Sequence, residues 1–278
     1  MIEDQNLDEV LSRVEAKSRA IWLDKPREEQ LAIARFLLPA KSRADVIKPN
    51  RPKAVKLYCP FACQSRFPSG HRYCINTHVG CSHGCVYCYA ASYSPNAARE
   101  KKDFEKGLLK DMRDLDTFDV PSAPVHLSNS TDPFQPLEER IGATRFALEQ
   151  ILEHRNRFDM VTLLTKNPLF ALRSGYIELL QQLGTLASSH PKKRIFGDRS
   201  MLRVQVSLAF WREEARAAYD PCAPSVTERI EGILALREAG IPVTMRVDPL
   251  FPRSPLPIDR SQVADFGLVE AQTLDDLD

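Results

Sequence analysis

The sequence lacks several features that mark special classes of protein. It has no run of about 18 apolar residues, so we expect no membrane-spanning helix. Its first ten residues are polar and acidic and do not resemble a signal or transit peptide. The formal net charge is only +1, so no global basic field indicates nucleic acid. With 43% hydrophobic and 27% charged residues, the 278-residue chain predicts a globular cytoplasmic protein.

Acidic residues are absent from one long stretch of the chain. Between Val46 and Arg99 there are seven Lys or Arg residues and no Asp or Glu. The balance of basic and acidic residues reverses from Ser254 to Asp278, where there are six acidic residues and one basic residue, Arg260. Such runs are typical of solvated surfaces, but an acid-free stretch is also what a site for anionic groups needs.

The seven cysteines are clustered rather than spread along the chain. Cys222 stands apart, and the other six lie within thirty consecutive residues: Cys59, Cys63, Cys74, Cys81, Cys85 and Cys88. A secreted disulfide scaffold is shorter and distributes its cysteines. In a chain without an export signal, this clustering favours a metal site or redox chemistry.

Three regions follow from the pattern of apolar residues. Residues 1–72 predict a helical and basic N-terminal extension, with helices over about 7–22 and 27–37 and a proline-rich loop or linker over 41–72. Residues 254–278 predict an acidic tail. Residues 73–253 alternate predicted strands with helical patterns at Lys102–Asp116, Ala143–Asn156, Gly175–Leu183 and Ser225–Ala239. The strands are Tyr73–His78, Val125–Ser128, Met160–Leu164, Leu202–Leu208 and Val243–Val247.

This alternation favours an α/β fold with a parallel sheet and helices outside it. A doubly wound sheet and a barrel both fit the pattern. In either fold, ligands bind at the C-terminal ends of the strands.

The run Cys81-Ser-His-Gly-Cys85-Val-Tyr-Cys88 directly follows the first predicted strand. Three thiolates at this spacing can bind three irons of a [4Fe–4S] cluster and leave the fourth iron open. An open coordination position is typical of a reactive metal site. Gly80 and Gly84 allow the backbone to wrap closely around a cluster. A structural zinc site or unliganded thiols are the alternatives.

Other segments extend the pattern in chain order over about residues 74–253: Val79-Gly-Cys-Ser-His-Gly-Cys-Val-Tyr-Cys-Tyr-Ala90, Ser130-Thr-Asp-Pro-Phe-Gln-Pro-Leu-Glu138, Thr165-Lys-Asn-Pro168, Val206-Ser207, Asp220-Pro-Cys-Ala-Pro-Ser225, Glu228-Arg229 and Asp248-Pro-Leu-Phe-Pro252. With them the sequence resembles the radical S-adenosylmethionine (SAM) superfamily, and within it the spore photoproduct lyase-like group, often labelled DNA repair photolyases. The resemblance implies a partial (β/α)6 barrel with a [4Fe–4S] cluster and SAM. It also implies a flavodoxin- or ferredoxin-type electron donor, a 5′-deoxyadenosyl radical, and hydrogen abstraction from a substrate such as damaged DNA.

The resemblance assigns roles residue by residue. Cys81, Cys85 and Cys88 would bind the cluster. Polar residues at the strand ends would contact SAM: Tyr87, Asn129, Ser130, Asp132, Lys166, Ser207 and Asp248. Each has an ordinary alternative as a turn residue, a surface cation or a hydroxyl bonded to backbone.

The hydrogen donor differs from that of spore photoproduct lyase. That enzyme carries a donor cysteine on the second strand, which here reads Val125-His-Leu-Ser-Asn-Ser-Thr131. We therefore expect this chain not to use that donor. Cys222, in the loop after the fourth predicted strand, is a candidate donor, and an ordinary loop residue is the alternative.

The sequence departs from the family after residue 253, where a helix and a sixth strand are expected. Only a short acidic segment remains, which predicts a barrel lacking its last strand and leaving an open edge. Two further functions therefore stay open: an iron–sulfur module that binds nucleic acid through the basic residues 46–72 and Arg99, and an inactive truncated fragment. Cys59, Cys63 and Cys74 are either ligands of a second cluster or small buried residues.

Overall fold

The structure, a computed structural model, describes residues 1–20, 22–39, 41, 43–57, 72–94, 97–187 and 200–247. Several predicted features lie outside these residues. They are Cys59 and Cys63, the strand-end Asp248, and the acidic tail from residue 254.

The N-terminal region forms three helices, α1 (Leu7–Arg13), α2 (Ala16–Arg19) and α3 (Arg27–Leu37). The prediction for α3 is confirmed, but the single helix predicted over 7–22 is wrong. The backbone becomes extended at Val14, and this residue forms an isolated parallel bridge with Ile47. That bridge and the burial of Trp22 override the helical periodicity, because tertiary contacts outweigh a local propensity.

A six-stranded sheet forms the centre of the molecule. In chain order its strands are β1 (Val55–Lys56), β2 (Tyr73–Ile75), β5 (Ala123–Leu127), β6 (Phe158–Thr165), β7 (Leu202–Ser207) and β8 (Val243–Arg246). They are neighbours in that same order. The strands β2, β5, β6, β7 and β8 pair in parallel, and β1 pairs antiparallel with β2. A separate antiparallel pair consists of β3 (His78–Val79) and β4 (Arg99–Glu100).

The five predicted strands are therefore confirmed within a few residues, and the fold is a mixed α/β fold with a mostly parallel, open sheet. The sequence analysis did not predict β1, which lies in the segment interpreted as an irregular loop. Its place depends on a distant carboxylate, since Asp111 Oδ2 accepts hydrogen bonds from Ala54 N at 2.6 Å and Val55 N at 3.0 Å. In the described sheet the strand order does not reverse, whereas a doubly wound sheet reverses its order at a switch point.

Helices follow the parallel strands as predicted. They are α4 (Phe104–Thr117), α5 (Glu138–Ile141), α6 (Ala143–Glu153), α7 (Ile177–Thr185), α8 (Glu213–Tyr219) and α9 (Val226–Glu238). Short 3₁₀ turns occur at Asp4–Asn6, Tyr89–Ser92, Arg155–Arg157 and Pro168–Leu172. The predicted capping box of α9 is confirmed, because Ser225 Oγ accepts from Glu228 N and Glu228 Oε2 accepts from Ser225 N.

Alternating residues of the strands divide the sheet into two faces. Val125 and Leu127 of β5 are fully buried and belong to the main hydrophobic core. His126, between them, is buried in a polar row that the strand register places beside Cys74 and Thr162. The carboxyl ends of all five parallel strands meet at one edge of the sheet, where the candidate site lies. Among the described residues, every helix is too short or too polar to span a bilayer.

Candidate functional site

A cleft of about 210 Å³ opens at the C-terminal ends of the parallel strands. One side is the Cys loop, residues 81–88, and the other consists of segments at the ends of β5, β6, β7 and β8. Nine residues predicted from the sequence line this cleft: Cys81, Cys85, Tyr87, Cys88, Asn129, Ser130, Asp132, Lys166 and Ser207. Parallel α/β folds bind ligands at this end of the sheet, so the cleft is the candidate functional site.

Backbone geometry and two side chains hold the Cys loop in place. Gly80 and Gly84 have φ angles of 76° and 65°, which residues with a Cβ rarely adopt. Thr131 Oγ1 donates to Gly80 O at 2.6 Å, and Ser82 N donates to Gln135 Oε1 at 3.1 Å. The loop is therefore attached to the segment that follows β5.

The three cysteines of the loop form no disulfide and are partly buried. Burial raises the pKa of Cys81 to about 11, and the Asp132 carboxylate contributes in the same direction. Burial raises the pKa of Cys85 further, although the nearby Lys166 cation opposes it. A bound cation reverses this preference, because a thiol that coordinates a metal is deprotonated.

The donor set is compatible with a cluster of several irons. Cys81, Cys85 and Cys88 also line a second, smaller cavity together with Gly84 and Ser130, so all three thiols lie around one region of space. Within the described ranges, no three His, Cys, Asp or Glu side chains converge as one metal ion requires. A [4Fe–4S] cluster does not need that convergence, because each thiolate binds a different iron.

Asp132 is buried and surrounded by donors of the protein. Its Oδ1 accepts from Phe134 N at 2.9 Å and Thr165 Oγ1 at 2.8 Å. Its Oδ2 accepts from Lys166 N at 2.6 Å and lies 3.2 Å from His83 Nε2. Burial alone raises the pKa of this carboxyl, but His83 and the backbone donors outweigh burial and lower it. Asp132 thus joins the Cys loop to the ends of β5 and β6 and acts as a positioning residue.

Lys166 is the centre of a second network. Its Nζ donates to Tyr87 Oη at 2.7 Å, Ser207 Oγ at 2.9 Å and Asp220 Oδ2 at 3.2 Å. Asp220 also accepts from Tyr87 Oη and from Arg229 Nη1, the latter at 3.0 Å. Burial raises the pKa of Asp220, but Lys166, Tyr87 and Arg229 together lower it below its usual value. The charge of Lys166 is therefore paired within the protein by the carboxylate of Asp220.

The sequence analysis missed the roles of several residues in these networks. Asp220 and Arg229 lie in segments that it quoted, but it assigned them no part in the site. Arg229 is fully buried, which an Arg in an amphipathic helix rarely is, and burial cannot be read from a single charged residue. His83 and Arg246 line the cleft, and Arg246 ends the fifth parallel strand.

The segment after β5 forms the rim of the cleft. Tyr89 Oη donates to Asn129 O, and Tyr93 Oη lies 3.1 Å from Ser130 Oγ. Ser130 N donates to Asn76 Oδ1 at 3.2 Å. The predicted residues Asn129 and Ser130 are therefore held at the opening by two exposed tyrosines.

Two other cysteines lie outside the cleft. Cys222 is exposed and is not among the lining residues, although its N donates to His83 O at 3.1 Å. Its Sγ is 3.8 Å from the position of a Cβ built on Gly84, so it lies next to the Cys loop. Cys74 is buried on β2.

Part of the basic stretch is occupied by structural ion pairs. Lys53 is buried, and its Nζ lies 3.3 Å from Asp114 Oδ2 and 4.0 Å from the centre of the Phe36 ring. Arg51 is paired with Asp111 and Asp114 of α4. Arg51 and Lys53 are therefore engaged in ion pairs within the protein, and nucleic-acid binding by the basic stretch stays a prediction.

Comparison with known proteins gives one distant similarity. The chain is 22% identical over 183 residues to "Uncharacterized protein MJ0683" of Methanocaldococcus jannaschii. The match covers 66% of this chain and 62% of that protein, so the chain spans less than two thirds of the relative. No protein-family model and no solved structure matches the chain.

Proposed function

We propose that this chain is a radical SAM enzyme of the spore photoproduct lyase-like group, with a [4Fe–4S] cluster on Cys81, Cys85 and Cys88. The open parallel sheet is then the wall of a partial (β/α)6 barrel. The observation that carries the proposal is the cleft itself, in which the Cys-x3-Cys-x2-Cys thiols meet the polar ends of β5, β6 and β7. A closed structural metal site has all its ligand positions filled, whereas a reactive site keeps one position open to a substrate-binding space such as this cleft.

When bound and reduced by a flavodoxin- or ferredoxin-type donor, the cluster supplies the electron that cleaves SAM to methionine and a 5′-deoxyadenosyl radical. The protein's own residues position and enclose the reactants. Asp132 and Gln135 orient the Cys loop through the contacts described above. Asn129 and Ser130 offer polar groups at the rim for the amino group or ribose of SAM.

The Lys166 network has a positioning role in this proposal. Lys166 and Asp220 fix the position of the Tyr87 ring, which belongs to the Cys loop. The Nζ of Lys166 lies 5.2 Å from the ring centre. Lys166 therefore sets the wall against which the adenine packs, while its own charge is balanced by Asp220. Hydrogen abstraction from a nucleic acid, as in a DNA repair lyase, is the substrate class we propose from the resemblance.

The test is anaerobic incubation of reconstituted protein with SAM and dithionite, followed by measurement of 5′-deoxyadenosine. We expect product from the wild type and none from Cys85→Ala. Cys222→Ala is the matched control, because it removes an exposed thiol next to the same loop without removing a cluster ligand. An intact cluster, seen by its absorbance, with no product from the wild type would refute the proposal. DNA binding by such an inactive protein would favour the iron–sulfur nucleic-acid module instead.

A further inference from the structure

A third cavity, of about 300 Å³, shares no lining residue with the candidate site. Its wall includes the segment between β4 and α4, the first turn of α4, and Ile141 and Ala143 near the start of α6. Asn76 connects this cavity to the rim of the first cleft through two hydrogen bonds. The backbone oxygen of Asn76 accepts from Lys101 Nζ at 3.2 Å, while its side-chain oxygen accepts from Ser130 N in the cleft rim.

Lys101 is the unusual group in this cavity. It is partly buried, and its ammonium lies 5.3 Å from the centre of the Phe104 ring. Asn76 O is a neutral acceptor, and among the described residues no carboxylate lies within ion-pair distance of Nζ. The amine is therefore partly shielded from water, without a carboxylate in ion-pair contact to stabilise its charged form.

Burial and one neighbouring cation outweigh the single opposing carboxylate near Lys101. Burial is the main cause that lowers the pKa of Lys101 to about 8, and the like charge of Lys56 on β1 lowers it further. Asp111 of α4 opposes them weakly, because its carboxylate is already engaged with Arg51 and the backbone of β1. Lysines activated as nucleophiles share these features, namely desolvation and a neighbouring cation.

We propose that Lys101 is a nucleophilic amine that binds a small, uncharged aldehyde or ketone in this cavity as a reversible imine. The neutral amine adds to the carbonyl carbon, and the resulting carbinolamine loses water. Both protons of the amine leave with the carbonyl oxygen as that water, so the step consumes no oxidant or reductant. Phe104, Ile141 and Ala143 supply an apolar wall for the carbon skeleton.

The rim of the cavity selects against anionic carbonyl compounds. Glu100, Asp103 and Glu105 line it, and all three are exposed. Lys106 also lines it and is exposed, which leaves more acidic than basic groups around the opening. An anionic keto acid would meet this negative rim, whereas an uncharged carbonyl compound would not.

The test uses the full-length protein, benzaldehyde as the probe, and cyanoborohydride to trap any imine, with the modified lysines identified by mass spectrometry. At pH 7 a lysine of pKa about 8 has a neutral fraction on the order of a hundredfold larger than an ordinary lysine. We expect Lys101 to be modified at least about tenfold faster than Lys106, since lower basicity offsets part of that gain. We also expect its rate to saturate with benzaldehyde and to rise to half its maximum near pH 8.

Two variants separate this proposal from general lysine reactivity. Lys56→Met removes the neighbouring cation and should slow the modification of Lys101 at pH 7 by about two- to threefold, with Lys106 unchanged. Lys101→Arg should remove the saturable modification and leave that of the other lysines unchanged. Modification of Lys101 no faster than Lys106, or without saturation, overturns the proposal. The labelling needs neither cluster nor SAM, so its outcome is independent of the proposed radical chemistry.

Discussion

The same substitution, Gly to Ala, is expected to have opposite effects in two helices of this protein. Gly232 lies in α9 where that helix packs on the turn Pro168–Leu172. A Cβ at Gly232 would lie 2.5 Å from Pro168 Cγ and 2.9 Å from Leu169 N. Gly107 lies inside α4, and a Cβ there would meet only Ala54 Cβ, at an ordinary 3.8 Å.

The gain in helix propensity and the cost of overpacking together decide whether each substitution stabilises or destabilises the protein. Ala is preferred over Gly in a helix interior by about 1 kcal/mol, and this gain is available at both positions. Overpacking a tight contact costs about 1–3 kcal/mol. At Gly232 the obstacles are a rigid proline ring and a backbone nitrogen, neither of which can rotate away, so we expect the upper part of that range. Gly232→Ala should therefore lower the free energy of unfolding by about 1–2 kcal/mol, and Gly107→Ala should raise it by about 0.5–1 kcal/mol.

The assay is urea unfolding followed by circular dichroism, with the free energy taken from the midpoint and slope. An equal stabilisation by both substitutions would refute the packing argument, because helix propensity alone would then explain the data. Pro168 follows Lys166 and Asn167 closely in the chain. A displaced Pro168 should therefore also disturb the Lys166 network, and Gly232→Ala should lower the yield of 5′-deoxyadenosine more than Gly107→Ala does.

Three further predictions concern buried charges. Glu138→Gln should destabilise the protein by about 2–4 kcal/mol in the same assay. The reason is that the buried Glu138 carboxylate lies 3.0 Å from His78 Nε2 and accepts hydrogen bonds from Thr144 N and Tyr176 Oη. Substitution of the exposed neighbour, Glu139→Gln, is the control. Asp111→Ala should cost about 3–5 kcal/mol, since it removes a fully buried carboxylate 3.6 Å from Lys53 Nζ and leaves two backbone N–H groups of β1 without an acceptor. The partly exposed Asp114→Ala leaves those backbone contacts and Asp111 in place and should cost about 1 kcal/mol or less. Burial and the charges of Arg72 and Arg246 lower the pKa of His126 to about 3, so the unfolded chain binds its proton first as pH falls. As pH falls from about 6.5 to 3, this residue should lower the free energy of unfolding by up to about 1.4 kcal/mol per pH unit. The same slope of unfolding free energy against pH in His126→Gln would contradict the assignment.

Much of the architecture was predictable because it depends on short-range patterns. Short apolar runs locate the parallel strands within a few positions, and the Ser225–Glu228 capping box locates the start of α9. The spacing of Cys81, Cys85 and Cys88, with Gly80 and Gly84 beside them, indicates a loop that can surround a cluster. These features involve residues close together in the chain, so the sequence by itself determines them.

Other features depend on contacts between distant residues, and only the tertiary structure decides them. The strand β1 forms because Asp111, more than fifty residues later, accepts its backbone N–H groups. Asp220 and Arg229 enter the site through Lys166, and Cys222 lies outside the cleft although it is two residues from Asp220. Lys101 differs from the other cavity lysine, Lys106, only in what surrounds its amine. Burial, charge pairing and the direction of a side chain are properties of the packed chain, because each is set by atoms that local sequence does not specify.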